Sequence, residues 1–199
     1  ISTIVSFFVV IAFMGSIVIL EYAADQYFLI LLGISASLLA FFRYNWHPSK
    51  MYMGDTGSMF LGVLIAGFGI IFLWNFNENS GTLAPLFARL TAVACIFALP
   101  IIDTTTVIFK RIIIFKKSPF KGGKDHTTHH LSYLGLTDTQ VAIVFIILSI
   151  VNTLAGFFVI LSVNKHQTTP IIISGIWFVL EFTALFIISM MNIKKDETQ

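Results

Sequence analysis

Asp55 stands between two glycines in Met53-Gly54-Asp55-Thr56-Gly57-Ser58, directly ahead of an apolar run. Gly54 and Gly57 let the backbone turn tightly and come close to a ligand. A helix starting here would aim its free N–H groups and positive dipole end at phosphate oxygens. The Asp55 carboxylate could hold Mg²⁺, with substrate phosphates and water completing the shell. Asp55, Thr56 and Ser58 are also good helix-capping residues, so a plain cap is the competing reading. Upstream, "NWHPSKMY" contributes an amide, Asn45, and an aromatic face, Tyr52, both suited to holding a nucleobase.

A second group lies in "KRIIIFKKSPFKGGKDHTTHHLSYLG", Lys110 to Gly135, with six basic residues and His126, His129 and His130. A helix starting at Asp125, with Asp125 as its cap, would place the three histidines on one face at i, i+3 and i+4. The basic residues alone say little, because juxtamembrane lysines attract anionic lipid head groups. Zinc proteolysis is disfavoured, since H-E-x-x-H needs a glutamate where Thr127 stands.

These groups must be carried by a membrane protein. Of 199 residues, 57% are hydrophobic and 11% charged, against about 25% charged in soluble domains. Spanning the hydrocarbon layer takes about 20 apolar helical residues. Six runs qualify, near 2–20, 27–42, 58–74, 85–109, 140–163 and 170–191. The expected fold is an all-α polytopic helical bundle forming one transmembrane domain over 1–199. If alternate connections face opposite sides, ten of the twelve Lys and Arg residues fall on one side. Glu21, Asp25 and Glu78 fall on the other. The side rich in lysine and arginine is expected to be cytoplasmic, with loops 43–57 and 110–139 and both chain ends on it. Cys95 sits in an apolar run and reads as a buried, unreactive thiol.

Charges inside spans are costly and point to function by default. Pro100 should kink the fourth run. Asp103, just beyond it, either caps a broken helix, pairs with Lys110 or Arg111, or lines a site. Arg89 reads as snorkelling to its interface. For Glu181, mid-span in "FVLEFTAL", the sequence supplies no assignment.

The two polar segments together carry a resemblance. "NWHPSKMYMGDTGSMFLG" resembles the N-x-x-P-A-x-x-F-M-G-D-x-G-S segment of the polyprenyl-phosphate N-acetylhexosamine-1-phosphate transferases (glycosyltransferase 4). "LPIIDTTTVIFKRIIIFKKSPFKGGKDHTTHHL" is similar to their P-I-x-D-T and the basic, histidine-rich loop after it. The pattern is nearest the undecaprenyl-phosphate GlcNAc-1-phosphate transferases, with the translocase of peptidoglycan synthesis as sister branch. The resemblance implies transfer of a sugar 1-phosphate from a UDP-N-acetylhexosamine to undecaprenyl phosphate, releasing UMP, with Mg²⁺ as cofactor. It implies Asp55 as metal ligand and Asn45 and Tyr52 at the uracil, Tyr52 replacing the usual phenylalanine. His126, His129 and His130 would contact the sugar phosphate, forming the catalytic group with Asp55. Lys110, Arg111, Lys121 and Lys124 would neutralise substrate phosphates. It further implies a bacterial cytoplasmic membrane, membrane lipids as neighbours, no nucleic acid, and compatibility with a homodimer.

Three departures stand out. The histidines read H-x-x-H-H rather than H-x-H-H, so Thr128 takes a usual histidine position. Ser49 replaces a common alanine. The family's earlier aspartate motifs, D-D-x-x-D and N-x-x-N-x-x-D-G-x-D-G-L, are not in these residues, so the chain reads as a C-terminal half that is inactive alone. A membrane transporter, suggested by Asp103 and Glu181, and a scaffold relative without catalysis are the alternatives.

Overall fold

The computed structural model describes residues 1–19, 25–46, 48–74, 83–116, 118, 126–165 and 167–191. Glu21, Glu78, Lys117, Lys121, Lys124, Asp125, Lys194 and Lys195 lie outside them. Every regular element among the described residues is helical: α1 (Ser2–Ile19), α2 (Asp25–Asn45), α3 (Gly54–Gly69), α4 (Leu83–Ile96), α5 (Ala98–Phe109), α6 (Thr127–Tyr133), α7 (Asp138–Asn164) and α8 (Thr169–Met191). Wide π turns extend α3 through Ile70–Trp74 and α5 through Lys110–Ile114. The fold is an all-α bundle, as expected. Five helices are long and apolar enough to cross a membrane, and a sixth crossing exists if the bent α4–α5 pair counts as one.

Where a hydrocarbon solvent gives helices no hydrophobic reason to associate, close packing holds them together. α1 sits centrally, packed on α2, α3 and α7. Its Phe13 is fully buried, with ring centroids 6.1 Å from Phe68, 6.3 Å from Phe72 and 6.1 Å from Phe97. Gly15 lets α1 press against Phe157 of α7, since a Cβ there would lie 2.2 Å from that ring. The outward sides of α2 and α8 carry exposed Leu29, Leu32, Ile172 and Ile176, apolar surface suited to lipid.

The fourth apolar run, expected as one kinked span over 85–109, breaks at Phe97 and turns through 79°. The cause is Pro100 in the first turn of α5. It cannot donate to the Ile96 carbonyl, and its ring crowds that carbonyl, so the helix must end before it. The swing carries Asp103 and Lys110 away from the line of α4.

The intramembrane charges have partners. Asn152 Nδ2 of α7 donates to Glu181 Oε1 of α8 at 3.0 Å, and Trp177 Nε1 donates to Asn152 Oδ1 at 2.9 Å. Glu181 and Asn152 are both buried, so this network supplies the assignment that the sequence lacked. Arg89, expected to snorkel, donates from Nη1 to the Trp74 carbonyl at 3.1 Å, at the end of the α3 extension. Cys95 is buried as expected.

Candidate active site

One end of the bundle opens into a cleft of about 540 Å³. It is walled by the start of α1, the end of α2, the start of α3, α6 and the start of α7. Starts of α1, α3 and α7 meeting the end of α2 is the arrangement that alternating helix directions require.

The wall between α2 and α3 is built by a short closed loop. Asn45 Nδ2 donates to the Met51 carbonyl at 2.9 Å, Ser49 Oγ to the Asn45 carbonyl at 2.8 Å, and the Lys50 amide to the Tyr44 carbonyl at 2.9 Å. Asn45 therefore positions the loop while itself lining the cleft. Tyr52 projects from that loop, 80% exposed, with its ring open for stacking.

α3 then starts through a left-handed turn at Gly54, φ +67°, a conformation that costs any residue with a Cβ about 1–2 kcal/mol. Gly57 leaves room for Met53 to fold back, since a Cβ there would lie 2.7 Å from Met53 Cγ. Capping by Asp55, Thr56 or Ser58 does not occur: Met53 holds the cap position without a side-chain bond, and Ser58 Oγ donates to the Asp55 carbonyl at 2.9 Å. Asp55, in the first turn and exposed, lines the cleft with Ser58. The competing cap reading is thus replaced by a carboxylate facing an open cleft.

The histidine segment departs from expectation. Its helix begins at Thr127, not Asp125, with His126 at the cap in extended conformation. The three histidines do not share a face. His126 Nδ1 pairs with Asp103 Oδ2 at 2.8 Å. Because a carboxylate only accepts, His126 carries its proton on Nδ1. Asp103 Oδ1 also accepts from the Thr127 backbone N–H at 2.7 Å, so Asp103 caps α6 from a different helix. Of its sequence alternatives these bonds match capping, but of α6 rather than of the broken α4–α5 run. His130 is fully buried and hydrogen-bonded to Lys110, itself fully buried. Only His129 of the three lines the cleft, with Thr128 and Ser132.

Asn45, Tyr52, Asp55 and His129 are therefore brought together, while His126, His130, Lys110 and Arg111 lie outside the cleft's described lining. Arg111 is buried next to Lys110. Lys121 and Lys124 lie outside the described residues. Sequence reasoning missed Asp138, a second carboxylate on the cleft at the start of α7. Its signal was present in Thr137-Asp138-Thr139-Gln140, a capping box in which Thr137 Oγ1 accepts from the Gln140 amide at 3.4 Å and Gln140 Oε1 from the Thr137 amide at 2.8 Å.

Residues 1–73, which hold α1 to α3 with Asn45, Tyr52 and Asp55, match the model of glycosyl transferase family 4. Among curated relatives, a probable undecaprenyl-phosphate N-acetylglucosaminyl 1-phosphate transferase of Bacillus subtilis (strain 168) is 32% identical over 126 residues, 63% of this chain and 32% of the relative. A phospho-N-acetylmuramoyl-pentapeptide-transferase of Carboxydothermus hydrogenoformans is 29% identical over 134 residues, 64% of this chain and 34% of its own. One from Alkaliphilus oremlandii is 28% identical over 147 residues, covering 74% and 40%. The chain thus spans about a third of the length of these curated relatives. No solved structure matches it.

Proposed function

We propose that the cleft binds a UDP-N-acetylhexosamine and that the intact protein transfers its sugar 1-phosphate to a polyprenyl phosphate, releasing UMP. The observation that carries this reading is the convergence of Tyr52, Asp55 and His129 on one cleft at a helix-bundle end. Its volume falls within the roughly 300–1,000 Å³ typical of small-ligand sites. By the Lys/Arg count, that end faces the cytoplasm, where nucleotide sugars are made, while the lipid acceptor arrives from the bilayer.

Tyr52 stacks on the base, and the uncapped first turn of α3 offers its N–H groups to phosphate oxygens. Asp55 is the residue that would hold a magnesium ion. Among the described residues no group of three or more His, Cys, Asp or Glu could hold a metal alone. Magnesium nevertheless fits, because it commonly takes one or two carboxylates and completes its shell with substrate phosphates and water. Once bound it would neutralise charge on the diphosphate. An oxygen of the acceptor phosphate bonds to the sugar-bearing phosphorus, and the bond from that phosphorus to the bridging oxygen breaks, so UMP departs. His129, which lines the same cleft from α6, donates a hydrogen bond to the phosphoryl oxygens as they move. GlcNAc is the proposed sugar, and a cell-envelope polysaccharide the destination.

The test is turnover by the intact natural protein in membranes with undecaprenyl phosphate, magnesium and a panel of UDP-sugars. UMP release with UDP-GlcNAc, lost in Asp55→Asn, is expected. Full magnesium-dependent turnover in Asp55→Asn would overturn the role given to Asp55.

A further inference from the structure

α6 has only seven residues, too few to be stable by its own hydrogen bonds. Its orientation must come from its neighbours. One side, Thr127, His130 and Leu131, is buried, with Leu131 packed among Ala98, Leu99, Ile102, Val141, Phe145 and Leu185. The other side, Thr128, His129 and Ser132, faces the cleft. A rotation of the helix by a fraction of a turn would exchange them.

Two side chains of α5 and its extension hold the buried side in place. Asp103 accepts from both His126 and the Thr127 amide at one end of α6, as described above. Lys110, seven residues further along and hence on the same side of its helix, donates to His130 Nε2 one turn into α6. Lys110 and His130 are both fully buried, and a buried polar group is costly to leave unbonded, so the Lys110–His130 contact favours the rotation of α6 that keeps the two together. The break at Phe97 is what brings both side chains beneath α6.

We propose that Asp103 and Lys110 are positioning residues: they clamp α6 so that His129 is presented to the cleft that Asp55 also lines. On this reading His126 and His130 serve the clamp rather than the substrate. The inference rests on the transfer reaction proposed above for its kinetic consequence, but the clamp itself can be read without any turnover.

The experiment uses the intact protein with two readouts. Amide hydrogen exchange over residues 127–133 should rise by about tenfold or more in Asp103→Ala, with α7 unchanged, because local opening is governed by such tertiary contacts. In the transfer assay Asp103→Ala should lose about a hundredfold in kcat, the scale of an ångström's misplacement, with the KM for the nucleotide sugar within about threefold. Adding Asp103→Ala to His129→Ala should cost less than about threefold more, since both changes remove the same positioned group. Unchanged exchange, a loss in KM instead of kcat, or losses that multiply would each overturn the proposal. Should Asp103→Ala fail to fold, Asp103→Asn keeps an acceptor for the Thr127 amide and weakens the His126 bond, and the same readouts decide. Wild-type protein inactive with every UDP-sugar would refute the transfer reading, and the exchange result would still decide the clamp.

Discussion

Replacing Tyr52 separates ligand recognition from folding more cleanly than any other change in the cleft. Its ring is 80% exposed, so Tyr52→Ala removes little packing and should shift stability by no more than about 0.5 kcal/mol, as at ordinary surface positions. Stacking of a base on an aromatic ring contributes about 1–3 kcal/mol. Nucleotide affinity should therefore fall about 5- to 150-fold. Tyr52→Phe keeps the face and should stay within about twofold of wild type. The assay is equilibrium titration of the intact protein in detergent with UDP-GlcNAc and magnesium, paired with thermal unfolding. An unchanged dissociation constant in Tyr52→Ala would refute the stacking argument. So would an affinity loss accompanied by a large fall in unfolding temperature, because the loop then would be collapsing.

Other outcomes can be checked alongside. Gly54→Ala should cost about 1–2 kcal/mol in thermal stability; with nothing within 4 Å of the added Cβ, that cost is backbone strain alone. Asn152→Ala strips hydrogen bonds from Glu181 and Trp177 and should destabilise by about 1–3 kcal/mol in detergent unfolding. Converting both Asn152 and Glu181 to leucine should recover part of that loss, because no acidic group is then left buried without its donor. Chelating magnesium should weaken UDP-GlcNAc binding in the wild type and leave Asp55→Asn unaffected, as read by the same titration.

The apolar helices were legible because lipid imposes a plain requirement on length and composition. α1, α7 and α8 begin and end within two residues of the apolar runs. α2 runs three residues beyond its run, to Asn45, because Arg43 and Tyr44 can remain helical at the interface. Pro100 announced a kink, but not that the chain would swing 79° and start a new helix at Ala98. That depends on what α5 packs against. α6 was misread for a related reason. Asp125 was a good local cap by composition, yet the acceptor that starts the helix is Asp103, 24 residues before Thr127. Three histidines at helical spacing suggested one shared surface, whereas half-buried Asp103 of α5 and buried Lys110 of its extension claim two of them. Asp55, Tyr52 and Asn45 could be named from their types and the motif around them. That His129 would be the histidine to join them required the fold.

The central claim is that Asp55 and His129 flank a metal-bound nucleotide diphosphate in this cleft. Anomalous diffraction from crystals of the intact protein with Mn²⁺ and UDP-GlcNAc tests it most directly. The account predicts the metal peak at direct-ligand distance from the Asp55 carboxylate, with the diphosphate between it and His129. A peak bound elsewhere, or a nucleotide seated away from Tyr52 and His129, would contradict it.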